Sequence, residues 1–166
     1  MTKWNFNENK NFIKVGDYKV LNLPDAEKAS KLLEKINTLI LVAFISIQLK
    51  EPRTPEINLL LSTPFDLQEM QLPEDQGEII FEGLNKPKGV KPTNQISIGK
   101  DGKLRAKSRL IFLQLRNNNG NLKNISSLKE LISHELAHTA MNHVTWRDDD
   151  HDQDYENMLK IIRKYI

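Results

Sequence analysis

The run INTLILVAFISIQL, from Ile36 to Leu49, is the strongest constraint on what this chain can fold into. It holds no charged residue, so its apolar surface must be covered. It is shorter than the ~20 residues that cross a bilayer as a helix, and it carries Asn37, Ser46 and Gln48. A core helix fits it better than a membrane span. Just upstream, Pro24 and Asp25 are a helix start, with proline and an acid in the first turn. The sequence AEKASKLLEKI that follows is amphipathic. The expectation is one helix from Asp25 to about Leu49, with an amphipathic first half and a second half apolar nearly all round, as a central helix would be.

A length of 166 residues is one domain's worth, and 39% hydrophobic with 28% charged residues is ordinary globular composition. The net charge of +2 gives no strong argument for nucleic acid or membrane. A pI near 8.7 leaves room for weak contact with polyanions such as DNA. The absence of cysteine excludes disulfides, thiolate zinc sites and cysteine nucleophiles, and fits a reducing, intracellular compartment. MTKWNFNENKNF lacks the apolar core of a signal peptide. No repeats are found, and a monomer is the favoured expectation.

Several shorter elements can be read around the long helix. KVLNL, Lys19 to Leu23, reads as a strand. INLLLS, after EPRTPE, is a strand or a short helix, and Thr63 to Gly77 reads as loop. EIIFEGL, Glu78 to Leu84, reads as a strand, and Asn85 to Pro92 as a polar connection whose lysines are solvated. From Asn94 to Gly120 the pattern is β, with Asp101-Gly102 as a turn and Asn117 to Gly120 as another. Arg109 to Arg116 is apolar on both faces, which predicts an internal or covered strand. Ser127-x-x-Glu130 is a capping box that opens the next helix. A last helix is expected from about Asp152 to Tyr165.

All four histidines fall between His134 and His151. His134 and His138 are four apart on the capped helix and so share one face. Two imidazoles so placed can hold one zinc ion. Glu135 stands beside them, placed to take a proton from water on that metal. A catalytic zinc takes a third protein ligand and keeps one position open. The residues themselves leave three candidates: His143, His151 and Glu156. A helix continued for five residues turns ~140° away from the His134–His138 face, so His143 would have to sit just past the helix end. Asp148, Asp149, Asp150 or Asp152 could accept the second N–H of a ligand histidine. Trp146 would pack the intervening loop. Tyr155 reads as a packing anchor of the last helix.

LQLRN, LKELISHELAHT and HDQDY together resemble the zincin metallopeptidases of the WLM and SprT-like group. The similarity covers roughly residues 103–166, and more loosely the long helix. Val144 stands where WLM members often place the third histidine, and Met141 and Val144 break the metzincin pattern. The resemblance implies a single α+β zincin domain over residues 1–166. Its parts would be a long N-terminal helix, a small and mostly antiparallel sheet, an active-site helix and a closing C-terminal helix. It implies Zn2+ on His134, His138 and His151, the last in a His-Asp-x-x-Tyr context with Asp152 and Tyr155. Glu135 would be the general base for peptide hydrolysis, with Arg147 and Tyr165 as weak oxyanion candidates. The substrate would be protein or peptide, lying along the strand that holds Arg109, Ile111 and Leu113. The group is linked to clearing proteins crosslinked to DNA. The competing reading is a non-catalytic zinc-stabilised binding domain with the same fold.

Overall fold

The structure, a computed structural model, describes residues 11–71, 82–143 and 151–166. Strands β1 (Phe12–Val15) and β2 (Tyr18–Leu21) form a hairpin that leads into helix α1 (Ala26–Lys50). Helix α2 (Pro55–Ser62), strand β3 (Phe65–Glu69) and strand β4 (Gly83–Pro87) follow. A short helix α3 (Pro92–Gln95) precedes the hairpin of β5 (Ile96–Ile98) and β6 (Leu104–Ala106). Strand β7 (Arg109–Leu113), helix α4 (Ile125–Ala140) and helix α5 (Gln153–Arg163) complete the chain.

The fold is mixed α+β, with the long helix, small sheet and C-terminal helix in the expected places. Five strands form one sheet in the order β1-β2-β3-β7-β4. It is mixed and not mostly antiparallel as expected: β2–β3 and β3–β7 are parallel, because helical crossovers separate β2 from β3, while β1–β2 and β7–β4 are antiparallel. β5 and β6 form a separate antiparallel pair. β7 is internal, as its apolar faces predict.

Helix α1 buries Ala26, Ala29, Leu33, Ile36, Ile40, Ala43 and Ile47. Steps of three and four draw these into one stripe. Together with residues from the sheet, α4 and α5, the stripe forms one core cluster. The outer face departs from the expectation of a helix covered all round. Leu41, Val42, Ile45 and Leu49 are 49%, 57%, 59% and 77% exposed. Among the described residues α1 is the one helix long and apolar enough to cross a membrane. It lies against β2 and β3 along its buried stripe.

One open local reading is resolved and three change. INLLLS is helical, with Thr54 as cap: its hydroxyl accepts the Ile57 amide at 3.2 Å. The stretch read as loop after Thr63 contains β3, a central strand. Its polar Gln68 and Glu69 are both buried, which erased the apolar signature expected of an internal strand. β4 takes in Asn85, Lys86 and Pro87, which had read as connection. Pro87 is tolerated because β4 lies at the sheet edge. Residues 78–81 of the expected strand lie outside the described residues.

The fourth concerns α4. It starts one turn before the expected capping box. Asn124 is the N-cap, its Oδ1 accepting the Ser127 amide at 2.9 Å. Glu130 instead pairs with Arg163, whose Nε donates to Oε2 at 2.9 Å. Asn124→Ala is therefore expected to cost about 1 kcal/mol in urea unfolding. Glu130→Ala, which removes only an exposed pair, is expected to cost less.

Candidate metal centre

Helix α4 brings His134 and His138 to one face, one turn apart, and their ring centroids are 5.0 Å apart. Asp152 caps α5 by accepting the Tyr155 amide at 2.9 Å. That cap places His151 just ahead of α5, with one Asp152 oxygen committed to the backbone. Tyr155 is buried, and its hydroxyl donates to the His134 carbonyl at 2.9 Å. It pins α5 to the turn of α4 that carries His134, as a packing anchor should.

His134, His138 and His151 each offer a ring nitrogen, and all three nitrogens lie within 4.8 Å of one another. The Nε2 atoms of His138 and His151 are 3.3 Å apart. Two nitrogens bound to one tetrahedral zinc, each at about 2.0–2.1 Å, stand roughly 3.3 Å from one another. The donor set therefore fits a metal ion, and imidazole ligands suit zinc, copper, iron and nickel alike. Burial, followed by the field of His151, lowers the pKa of His134. Burial, followed by the field of His134, pushes His138 down to about 3. Neutral imidazole is the form that ligates.

Of the other two ligand candidates, Glu156 is not part of this cluster. His143 meets His138 at the opposite ring nitrogen, with the two Nδ1 atoms 2.7 Å apart. Trp146, Arg147, Asp148, Asp149 and Asp150 lie outside the described residues. Tyr165 is committed elsewhere: its hydroxyl donates to Glu51 at 2.7 Å, at the end of α1.

Glu135 is 3% exposed, and burial pushes its carboxyl up to about 8. Its Oε2 is buried with no hydrogen-bond partner. Such an atom is costly unless something charged or polar meets it there. Glu135 and His134 line a cleft of about 500 Å3 together with Glu82, Gly83, Lys123, Ser127, Glu130 and Leu131. β4 forms one wall. A methyl group at Gly83 would lie 2.8 Å from both Glu135 Oε1 and Leu131 Cδ1, so a side chain there would have to displace them.

The expected substrate strand is not available. β7 is paired with β3 on one side and β4 on the other, and Arg109, Ile111 and Leu113 are all buried. A strand inside a sheet has no open edge for a peptide. Arg109 instead supports the site, together with Asn85. Asn85 Nδ2 donates to the Glu135 carbonyl at 2.6 Å and to Thr139 Oγ1 at 2.7 Å. Arg109 Nη1 donates to the His143 carbonyl at 2.7 Å and reaches Asn85 Oδ1 at 3.3 Å. The sequence carried no signal for Asn85 or Gly83, because no short pattern marks a residue that supports a helix from a neighbouring strand.

No protein-family model, curated protein or solved structure matches this chain. Its side chains alone carry the functional reading.

Proposed function

We propose that this protein is a zinc-dependent metallopeptidase with a zincin-like fold, similar in its motif to the WLM and SprT-like group. The observation that carries the reading is the meeting of His134, His138 and His151 beside a cleft lined by Glu135. Two ligands and a base come from one turn of α4, and the third ligand from the start of α5.

His134, His138 and His151 would hold the ion, which when bound supplies a Lewis acid that polarises a carbonyl and acidifies water. Glu135 is the general base. It takes a proton from the attacking water and hands it to the leaving amine. Burial raises this carboxyl in the metal-free protein, and the charge of a bound ion would favour the ionised form that accepts a proton. Tyr155 holds the His134 turn, and Asn85 holds the carbonyl of Glu135 itself. A peptide substrate would run along the edge of β4 that is unpaired among the described residues and borders the cleft. That placement is an analogy at the level of the fold. The resemblance extends the substrate class to proteins associated with or crosslinked to DNA.

The test is metal removal. The protein is expected to bind one equivalent of zinc and to cleave casein or an unstructured peptide. Chelation should abolish cleavage, and zinc should restore it. A protein that binds no zinc would sink the reading. Zinc binding without cleavage of any substrate, DNA added or not, would favour the zinc-stabilised binding domain.

A further inference from the structure

The inference concerns His143 and rests on the metal reading above. Helix α4 ends in two backbone bonds that cross: Asn142 N–H to the Thr139 carbonyl at 3.1 Å and His143 N–H to the His138 carbonyl at 3.1 Å. This nested pair is the Schellman ending of a helix, and it needs a left-handed residue just after the cap. Asn142 supplies it, with φ 57°. Asparagine tolerates that conformation better than other residues with side chains. Asn142 Nδ2 also donates to the Leu104 carbonyl at 2.8 Å, which ties the turn to β6.

The reversal has a consequence for the site. On a continued helix His143 would point away from His138, but the left-handed step swings it back. The two Nδ1 atoms then stand 2.7 Å apart. Two bare nitrogens repel at that distance, and two protonated ones clash, so one proton lies between them. If it belonged to His143, neutral His138 would carry its proton on Nε2, facing His151, where a ligand needs a lone pair. If it belongs to His138, Nε2 is bare.

We propose that His143 is a positioning residue: its Nδ1 accepts the Nδ1–H of His138, which fixes the tautomer of His138 with its Nε2 lone pair toward His134 and His151. Arg109 holds this acceptor in place. It is 1% exposed, and it donates to the backbone carbonyl of His143 from the start of β7. No carboxylate pairs with it among the described residues. A buried guanidinium without a counter-ion is expensive, and it is kept where its fork holds something in register. Here it holds the turn that carries the acceptor.

The test compares wild type, His143→Ala and His143→Asn by zinc affinity, using competition with a chromophoric chelator. The visible spectrum of the cobalt-loaded forms is recorded alongside. Asparagine places Oδ1 where histidine has Nδ1, so it keeps the acceptor. His143→Ala is expected to bind zinc about 10- to 100-fold more weakly, the usual effect of losing a partner that orients a ligand. Its cobalt spectrum should change, while the melting temperature of the metal-free protein stays near wild type. His143→Asn should recover most of the affinity. Unchanged zinc affinity and an unchanged cobalt spectrum in His143→Ala would overturn the proposal. So would a loss in His143→Asn equal to that in His143→Ala. Wild type that binds no zinc would instead remove the metal reading on which the proposal stands.

Discussion

Glu135→Gln is expected to lower peptide hydrolysis by about 10²- to 10⁴-fold while zinc affinity stays within a few-fold of wild type. The amide matches the carboxylate in size, which matters because the space is tight. Gly83 faces Oε1 so closely that even a methyl group there would collide. The substitution also leaves the ligand turns alone. Asn85 grips the backbone carbonyl of residue 135 and not its side chain, so the helix keeps its register against β4. What is lost is the capacity to accept a proton. The measurement is initial rate on casein or a quenched fluorescent peptide, with zinc content determined on the same samples. Full activity in Glu135→Gln would remove Glu135 from the role of base. The amide should also raise the melting temperature of the metal-free protein at alkaline pH. The sign follows from the shift: a carboxyl lifted by burial to about 8 keeps its proton in the folded protein while the unfolded chain ionises in the ordinary carboxylate range, so wild-type stability falls as pH rises from that range to about 8 and stays at its lowest above it, while the amide does not titrate.

The parts of this chain that were legible beforehand are those whose sequence pattern is set by their own burial. Helix α1, the internal strand β7, and helices α4 and α5 each carry an apolar period, and each stands within a few residues of its expected span. The pair His134 and His138 was legible for the same reason, since spacing of four on a helix determines a shared face. The failures have a common cause too. β3 hides behind buried Gln68 and Glu69, and the Glu69 carboxylate is matched by Arg116, distant in sequence. The start of α4 depends on Asn124, while Ser127 and Glu130 made a more familiar pattern one turn later. Spacing left three candidates for the third ligand. The cap at Asp152 and the left-handed turn at Asn142 separate them: one carries His151 to the ligand side of His138, the other carries His143 to its back. Placing a substrate edge at Arg109 rests on analogy with zincins and conflicts with the apolar faces of its own strand, which point to the internal place that β3 and β4 enclose.

The other large effect lies at the far end of β7. Arg116→Met is expected to destabilise the protein by about 3–5 kcal/mol in guanidinium unfolding. Arg116 is 2% exposed. Its Nε donates to Glu69 Oε2 at 2.8 Å, and its Nη1 to Asp25 Oδ2 at 2.8 Å and the Gly120 carbonyl at 3.0 Å. Glu69 is fully buried, and its other oxygen accepts the Leu21 amide at 2.9 Å. Burial pushes the Glu69 carboxyl upward, against the pull of the Leu21 amide and Arg116. The guanidinium thus joins the start of α1 and the ends of β2, β3 and β7. Methionine fills much of the space but leaves a carboxylate in the core with one amide for company. That residual charge, and not the lost contacts, accounts for most of the cost. The double variant Arg116→Met with Glu69→Gln tests this directly. A neutral amide oxygen still accepts from Leu21 and brings no charge, so the double variant should be more stable than Arg116→Met alone. If it is less stable, the cost lies in packing around Arg116 and not in the stranded carboxylate. Because β7 carries Arg109 at its start and leads from Arg116 toward α4, loosening this end should also weaken zinc binding. That loss should track the loss of stability, unlike the effect of His143→Ala, which is expected to leave stability almost unchanged.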